Sequence, residues 1–547
     1  ILSFSTSLML RSQVLDYGSE LHEFDPFFNF RATEFLVNNG LVEYYNWHDV
    51  KSWYPNGRDI SATSQVMLHV TAATTYQIFG SNMELYDFTI LFPGIVGALT
   101  TIIIFALVRV IGGTTAGLFA SLLFAISVPI IIRGFMGWFK SEPLGLFYGL
   151  FGLYLFLSGI KSDNKKITLS KLIGGGIFMA LGFASWGGIQ FFIIPICIFI
   201  FVLPFLRKDF GFLIWSIPAF VISLLLTTMV FERPGVDFVL GLGGFALILP
   251  TIFLITCSFV QKFSKSENQI RNYLILLLTI ILIGAFLIMF NTENQFLQYP
   301  NYRYLNVINP FLTTTNPLVD SVSEHSVTST YYSFFMHSVL MIFAGLGSWI
   351  IFNKIKFESS KDFPKHLIEF WIIFNKIKFE SSKDFPKDLM VFVLIFGLVG
   401  AYVGSAFVRL ELFTSLSIIF LSSIGLSIII REILNCKNQL HPIRNNIIKF
   451  SYVGGILILI IIPLTFSASN WNSILDTPAI ILNGGSIYNV VTNDWKESLE
   501  WIKLNTPPDS IILSWWDYGY WITTMSERTT LVDNATIDSK QIQKVAN

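Results

Sequence analysis

Thirteen apolar stretches follow one another between Ile1 and residue 467, near 1–14, 87–108, 115–132, 143–160, 172–187, 189–206, 211–230, 237–257, 273–290, 332–352, 388–406, 409–430 and 450–467. Each approaches the roughly 20 mostly apolar residues that a helix needs to cross a bilayer. Backbone groups in hydrocarbon must find partners within their own segment, so this pattern folds as a bundle of membrane helices, not as a soluble domain. Composition agrees, with 53% hydrophobic and only 13% charged residues. Net charge is zero, which suggests no nucleic-acid partner. Cys197, Cys257 and Cys436 lie in apolar spans or a basic loop and suggest neither a disulfide framework nor a zinc site. Trp186-Gly187-Gly188 splits the pair at 172–206 as a tight hairpin, polar stretches interrupt the series at 15–86 and 292–331, and residues 468–547 form a tail of mixed polarity. The chain opens at Ile1 inside an apolar run and reads as a truncated piece of a longer protein.

Basic residues orient the bundle. If residue 1 starts inside, the inner loops hold twenty-two Lys and Arg, including eight lysines between 354 and 387, against Arg133, Lys140, Arg233 and Arg409 in the short outer loops. The positive-inside bias then puts 15–86, 133–142, 292–331 and 468–547 together outside the cytoplasm. One inner loop repeats "WIIFNKIKFESSKDFPK" at 349–365 and 371–387; the second copy's apolar part is too short to span, and a tandem duplication explains it without a function.

The chemically distinctive residues all fall on the outer side. "HEFDPFFNFRAT" (22–33) places Asp25 before a proline, which by itself reads as a turn or helix start. "RGFMGWFKSEPLG" (133–145) puts Glu142 at the mouth of a span with Lys140 two residues before it. "DSVSEHSVTS" (320–329) sets Glu324 among small hydroxyl residues, and "SAFVRLELF" (405–413) sets Arg409 and Glu411 at a helix mouth. Ionisable residues at membrane depth are costly and mark functional sites by default, although Arg409 can also snorkel to the interface. An arginine fork suits a lipid-linked phosphate. "SWWDYGYW" (514–521) gathers indoles around Asp517. Two indole N–H donors and one carboxylate acceptor can bind a hydroxyl as both acceptor and donor; the competing reading is an aromatic core at a turn.

These pieces, in this order, resemble the catalytic subunit of oligosaccharyltransferase. "WWDYG" (515–519) is the most specific of them; "HEFDPFFNFR", "SVSE" (321–324), "SWYPNGR", "ASWGG" (184–188) and "LVDNAT" (531–536) are also similar to family sequence. The resemblance implies a polytopic α-helical membrane protein of the GT-C type with about 13 transmembrane helices in residues 1–467, then the start of a mixed α/β extracytoplasmic domain in 468–547. It implies a glycosyltransferase that moves an oligosaccharide from a polyprenyl or dolichyl (di)phosphate carrier to asparagine in Asn-x-Ser/Thr. Asp25 and Glu324 would act on the amide, Asp25, Glu142 and Glu324 would hold Mn²⁺ or Mg²⁺, Arg409 would bind the carrier phosphate, and Trp515, Trp516 and Asp517 would read the acceptor hydroxyl. Its partners would be the lipid-linked oligosaccharide, the acceptor polypeptide and the membrane. Two departures stand out: Lys140-Ser141-Glu142 replaces the family's usual Asp-x-acid motif, and the chain ends 28 residues after Gly519, before the family's further acceptor-binding motif. Lys140 and the low cysteine count suit a single-subunit enzyme of an archaeal cell membrane; an endoplasmic reticulum membrane is the alternative.

The chemistry is coherent with those roles. An amide nitrogen is a poor nucleophile because its lone pair is delocalised, as the rotation barrier of about 18–20 kcal/mol records. Two carboxylates accepting its N–H bonds hold it out of conjugation. Gathered carboxylates repel, and a divalent cation relieves them and stabilises a departing phosphate. The alternative within enzymes is another GT-C glycosyltransferase acting on a lipid or sugar, which has no use for WWDYG. A transporter, the remote alternative, needs charges buried mid-span or helices broken at the midplane.

Overall fold

A computed structural model describes residues 1–207, 210–294, 322–359, 386–435, 442–465 and 492–547. Most of the outer stretch 292–331, the repeated segment beyond Ser359 and the start of the tail at 468–491 lie outside the described residues. Among those described, eight helices are long and apolar enough to cross a membrane, or nine if the bent pair beginning at Thr330 counts as one. The expected thirteen are therefore not all found there, for reasons a hydropathy window does not register. The stretch at 1–14 is an 11-residue helix, Leu2–Ser12, about 16 Å long at 1.5 Å per residue. The stretch at 211–230 is Leu213–Thr228, 16 residues, also short of a span.

The predicted spans 87–108 and 115–132 form one run, Leu85–Ile126, that is broken at Gly113 with φ +80°. Only glycine adopts that backbone without strain. Beyond it the chain folds back: a Cβ on Gly117 would lie 2.7 Å from the carbonyl oxygen of Phe105. The first arm matches the first expected helix, and the second covers the second only as far as Ile126, where Ser127 breaks the helix before Val128–Ile131. The predicted span 332–352 is instead two helices, Thr330–His337 and Val339–Ser359, meeting at Ser338 with a bend of 95°.

Burial separates the bundle's axis from its rim. In Val408–Leu434, 94% of the apolar window is buried, against 6% in Gln269–Phe286, so the first is the central helix and the second faces lipid. Phenylalanine fills the space between, with Phe124, Phe156, Phe192, Phe199 and Phe220 all inside one core. Where aromatic bulk would separate helices, glycines admit contact: a Cβ on Gly152 would lie 2.9 Å from the carbonyl oxygen of Gly175. Without a hydrophobic driving force between helices, such close backbone approach is what holds them.

A polar cap is built from residues near both ends of the described chain. Asp25–Tyr45 and Val66–Thr75 are helical, and a short antiparallel pair joins His48–Asp49 to Arg58–Asp59. The described tail has helices Asp494–Asn505 and Ser539–Ala546 and a parallel pair, Ile511–Ile512 with Thr529–Thr530. Its Leu499, Trp521 and Ile522 lie in one core with Val14, Leu21, Phe27 and Phe139. The described part of the tail thus packs against this cap.

Candidate active site

Asp25 is the first residue of Asp25–Tyr45, where the helix dipole favours a carboxylate. The preceding turn is strained: Glu23 has φ +67°, and the Trp521 indole N–H donates to its carbonyl oxygen at 3.0 Å. The Asn29 amide, one helical turn on, donates to the Phe139 carbonyl oxygen at 2.8 Å. That bond brings the loop 133–142 against Asp25. Lys140 caps the helix Ser141–Ile160, and Glu142 lies in its first turn. Arg409 sits on the single turn Val408–Leu410 before Glu411–Asn435, and Glu324 on the turn Ser323–His325.

The three sequence-predicted acids face cations of the chain. Lys140 Nζ lies 2.8 Å from Asp25 Oδ2 and donates to both Glu23 oxygens at 2.9 and 2.8 Å. Arg409 donates to Glu142 Oε1 at 3.1 Å and stands 3.8 Å from Glu324 Oε2. Arg133 lies 2.9 Å from Glu324 Oε1 and 3.8 Å from Glu142 Oε1. Burial lowers the Lys140 pKa, but the charges of Asp25, Glu23 and Glu142 outweigh it and the net shift is upward. Burial likewise raises Glu324, and Arg133, Arg409 and Lys140 reverse it, bringing that carboxyl to about 2. Both groups are held charged. Buried atoms without a hydrogen bond mark where a ligand would be welcome: Arg133 Nη1 and Glu142 Oε2. Asp25, Lys140, Glu142 and Arg409 line one cavity of about 660 Å³ with Trp186 and Tyr520.

The expected metal ligands do not make a metal site in this arrangement. Among the described residues no three His, Cys, Asp or Glu side chains stand close enough to share an ion. Asp25 and Glu324 are paired to cations and Glu142 keeps one oxygen free, whereas Mg²⁺ or Mn²⁺ wants a near-complete oxygen shell. The donor set as folded does not fit Mn²⁺ or Mg²⁺.

At WWDYG, Trp516–Tyr518 form a single turn. Gly519 presses against the neighbouring chain so closely that a Cβ would lie 2.5 Å from that of Asp533. Among the described residues the buried Trp516 N–H has no hydrogen-bond partner, and its ring packs against Trp53, Val532 and Ile542. The Trp515 N–H donates to Asp517 Oδ2 at 3.1 Å instead of pointing outward beside its neighbour. Burial raises the Asp517 carboxyl, the Trp515 bond lowers it, and the Asp25 charge raises it further, for a net upward shift. That coupling relates the tryptophan cluster to the acidic centre. Glu324 is engaged with the two arginines.

Sequence reasoning passed over Glu23, Arg133 and Asp533. All three lie within HEFDPFFNFRAT, RGFMGWFKSEPLG and LVDNAT, but residue type alone does not set them apart from the other charges there. Asp533 is fully buried and accepts from Ser52 Oγ and Trp53 Nε1, each at 2.7 Å.

Comparison with known proteins identifies the family. The family model "Oligosaccharyl transferase STT3, N-terminal" matches residues 11–361, and "STT3/PglB/AglB core domain" matches 508–546. A dolichyl-diphosphooligosaccharide–protein glycosyltransferase subunit STT3B of Oryza sativa subsp. japonica is 26% identical over 577 residues, covering 97% of this chain and 74% of that protein. The archaeal oligosaccharyltransferase AglB from Archaeoglobus fulgidus, solved with an inhibitory peptide and a dolichol-phosphate, superposes with a TM-score of 0.70 at 15% identity, covering 100% of this chain and 68% of that one. The same organism's enzyme in complex with Zn and sulfate gives a TM-score of 0.66 at 14% identity, covering 100% and 66%. With a family model matching residues 11–361, well over half of its length, the chain belongs to the STT3 family of oligosaccharyl transferases and is a multi-pass membrane glycosyltransferase of N-glycosylation.

Proposed function

We propose that the chain transfers an oligosaccharide from a polyprenyl or dolichyl (di)phosphate to the side-chain amide of asparagine in Asn-x-Ser/Thr. The observation that carries this reading is the pairing of two features in one cap: acids and arginines around a cavity, and a tryptophan cluster with an unpartnered buried N–H. Asp25 and Glu324 accept the two amide N–H bonds and hold the nitrogen out of conjugation. The nitrogen attacks the anomeric carbon and forms the C–N bond. The C–O bond to the carrier phosphate breaks with its electron pair staying on the phosphate oxygen, and the amide proton passes to Asp25. Arg409 and Arg133 receive the phosphate through charge-assisted hydrogen bonds, and among the described residues the buried Arg133 Nη1 makes no hydrogen bond. Trp516 donates to the acceptor hydroxyl and Asp517 accepts its proton, with Trp515 orienting Asp517. The expected Mn²⁺ or Mg²⁺ has no fitting donor set, and no step here runs through it.

The whole protein, in this reading, has thirteen spans and an extracytoplasmic α/β domain begun by 468–547, and works as a single subunit with its centre outside an archaeal cell membrane. The inward bias of basic residues supports that orientation. A GT-C enzyme with a lipid or sugar acceptor would leave the unpartnered indole unexplained. The test assays the full-length enzyme on peptides with Asn-x-Thr, Asn-x-Ser and Asn-x-Ala. Trp516→Ala should slow the first two about 10-fold or more, the equivalent of the roughly 1–3 kcal/mol of a lost buried hydrogen bond, and barely change the third. Equal slowing of all three would refute hydroxyl reading.

A further inference from the structure

Lys140 occupies the position where the family motif has an acid, and its surroundings are those of a bound cation. It is 5% exposed. An ammonium has three N–H donors, and three carboxylate oxygens lie at 2.8–2.9 Å: Asp25 Oδ2 and both oxygens of Glu23. The Trp138 ring closes another side, its centre 4.9 Å from Nζ. A lysine merely tolerated here would turn its flexible stem to water; this one is saturated.

Charge balance gives the arrangement its meaning. Glu23, Asp25, Glu142 and Glu324 face Lys140, Arg133 and Arg409, leaving a formal net charge of one negative. An aspartate at 140 would leave three. One divalent cation would return the centre to one negative. Exchange of lysine for aspartate is thus equivalent, in charge, to exchange of no metal for one divalent metal. The geometry agrees, since Lys140 occupies Asp25, the first of the three expected ligands.

We propose that the Lys140 ammonium is a built-in counter-cation that takes the place of a divalent metal ion at this centre. It neutralises Asp25 and Glu23 and fixes their oxygens, while the arginines supply the charge that meets the phosphate. The ammonium gives no Lewis acidity, so the leaving group depends on Arg409 and Arg133 alone. The proposal rests on the centre described above, but its readout does not require glycan transfer.

The experiment counts bound Mn²⁺ by electron paramagnetic resonance on the full-length protein in lipid nanodiscs, as the portion removed by Glu142→Gln. The unaltered protein should show none at this centre, and its transfer activity should survive chelation by EDTA. Lys140→Asp should gain one Mn²⁺ per chain. One Mn²⁺ on the unaltered protein that Glu142→Gln removes would overturn the proposal without any variant at Lys140. So would a folded Lys140→Asp protein that binds no more than the parent. Absence of glycan transfer in every preparation would refute the proposed reaction and leave the metal count standing.

Discussion

Asp517 and Glu324 are carboxylates of one cap shifted in opposite directions. Burial, opposed by the Trp515 N–H and reinforced by Asp25, raises Asp517 above its usual 3.8. Burial also works against Glu324, but Arg133 and Arg409 bring it down to about 2 from 4.5. The signs give different pH behaviour. A depressed acid contributes stability above its unfolded value and loses it only as pH falls towards the folded one, so the Glu324–arginine pairing persists in mild acid. A raised acid takes up its proton early, and a protonated Asp517 is a weaker, uncharged acceptor for a hydroxyl. As pH falls, the Michaelis constant for a threonine-containing acceptor should therefore rise, with an apparent pKa above 3.8, while that for the donor stays level. Asp517→Asn should remove this acid limb. An unchanged limb in that variant would assign the titration to another group. The sequence shows the residue types of WWDYG, and from them the hydroxyl-binding idea. It does not show which indole is free: Trp515 is spent on Asp517 and Trp516 is left unpartnered, a distinction made by the local turn and not by composition.

At the scale of elements, hydropathy finds apolar length and misses breaks. Gly112-Gly113 separated two predicted spans and is indeed where the chain folds back, because a glycine at φ +80° announces itself by residue type. Ser338, at φ +50°, carries no such signal, and the stretch 332–352 read as one straight helix. The bend there is pinned by a partner distant in sequence. Glu411 accepts from Ser333 Oγ, and its Oε1 lies 2.9 Å from His337 Nε2. Both His337 and Glu411 are almost wholly buried, at 4% and 3% exposure. Glu411 was noted in the sequence only for its position beside Arg409; the two point to different partners. Glu411→Leu should leave buried donors unpaired and cost about 1–3 kcal/mol each, read as a lower thermal midpoint in detergent. Glu411→Gln keeps an acceptor oxygen and should lose less. Equal midpoints for the two variants would show that the bend does not depend on this contact.

At the scale of the molecule, the chain's two ends form one structure. Division into 1–467 and 468–547 follows polarity, and polarity says nothing about where a polar tail comes to rest. The described tail rests on the first outer loop, across separations such as the 481 residues between Ser52 and Asp533. Lys51 and Thr530 exchange a backbone bond of 3.0 Å, as do Tyr54 and Thr530. Arg58 donates to the Tyr520 hydroxyl at 3.1 Å. Asp533 is the hub: it is fully buried, receives Ser52, Trp53 and the Ala535 N–H, and stands 3.5 Å from Arg58. It lies directly against Gly519, so it supports the tryptophan turn. Asp533→Ala leaves Arg58 buried and unopposed, an imbalance of about 3–5 kcal/mol. The consequence should be undocking of the tail, not loss of the bundle. Limited proteolysis of the full-length protein should cut the tail of this variant at least about 10-fold faster than the parent's, a ratio equivalent to only about 1.4 kcal/mol, with the helical content of the membrane part unchanged. Under the proposed function acceptor binding should fall with it, because the tryptophan turn and the acidic centre would no longer share a frame. A variant whose tail resists protease like the parent's, yet binds acceptor poorly, would instead place Asp533 in direct service of the tryptophan turn.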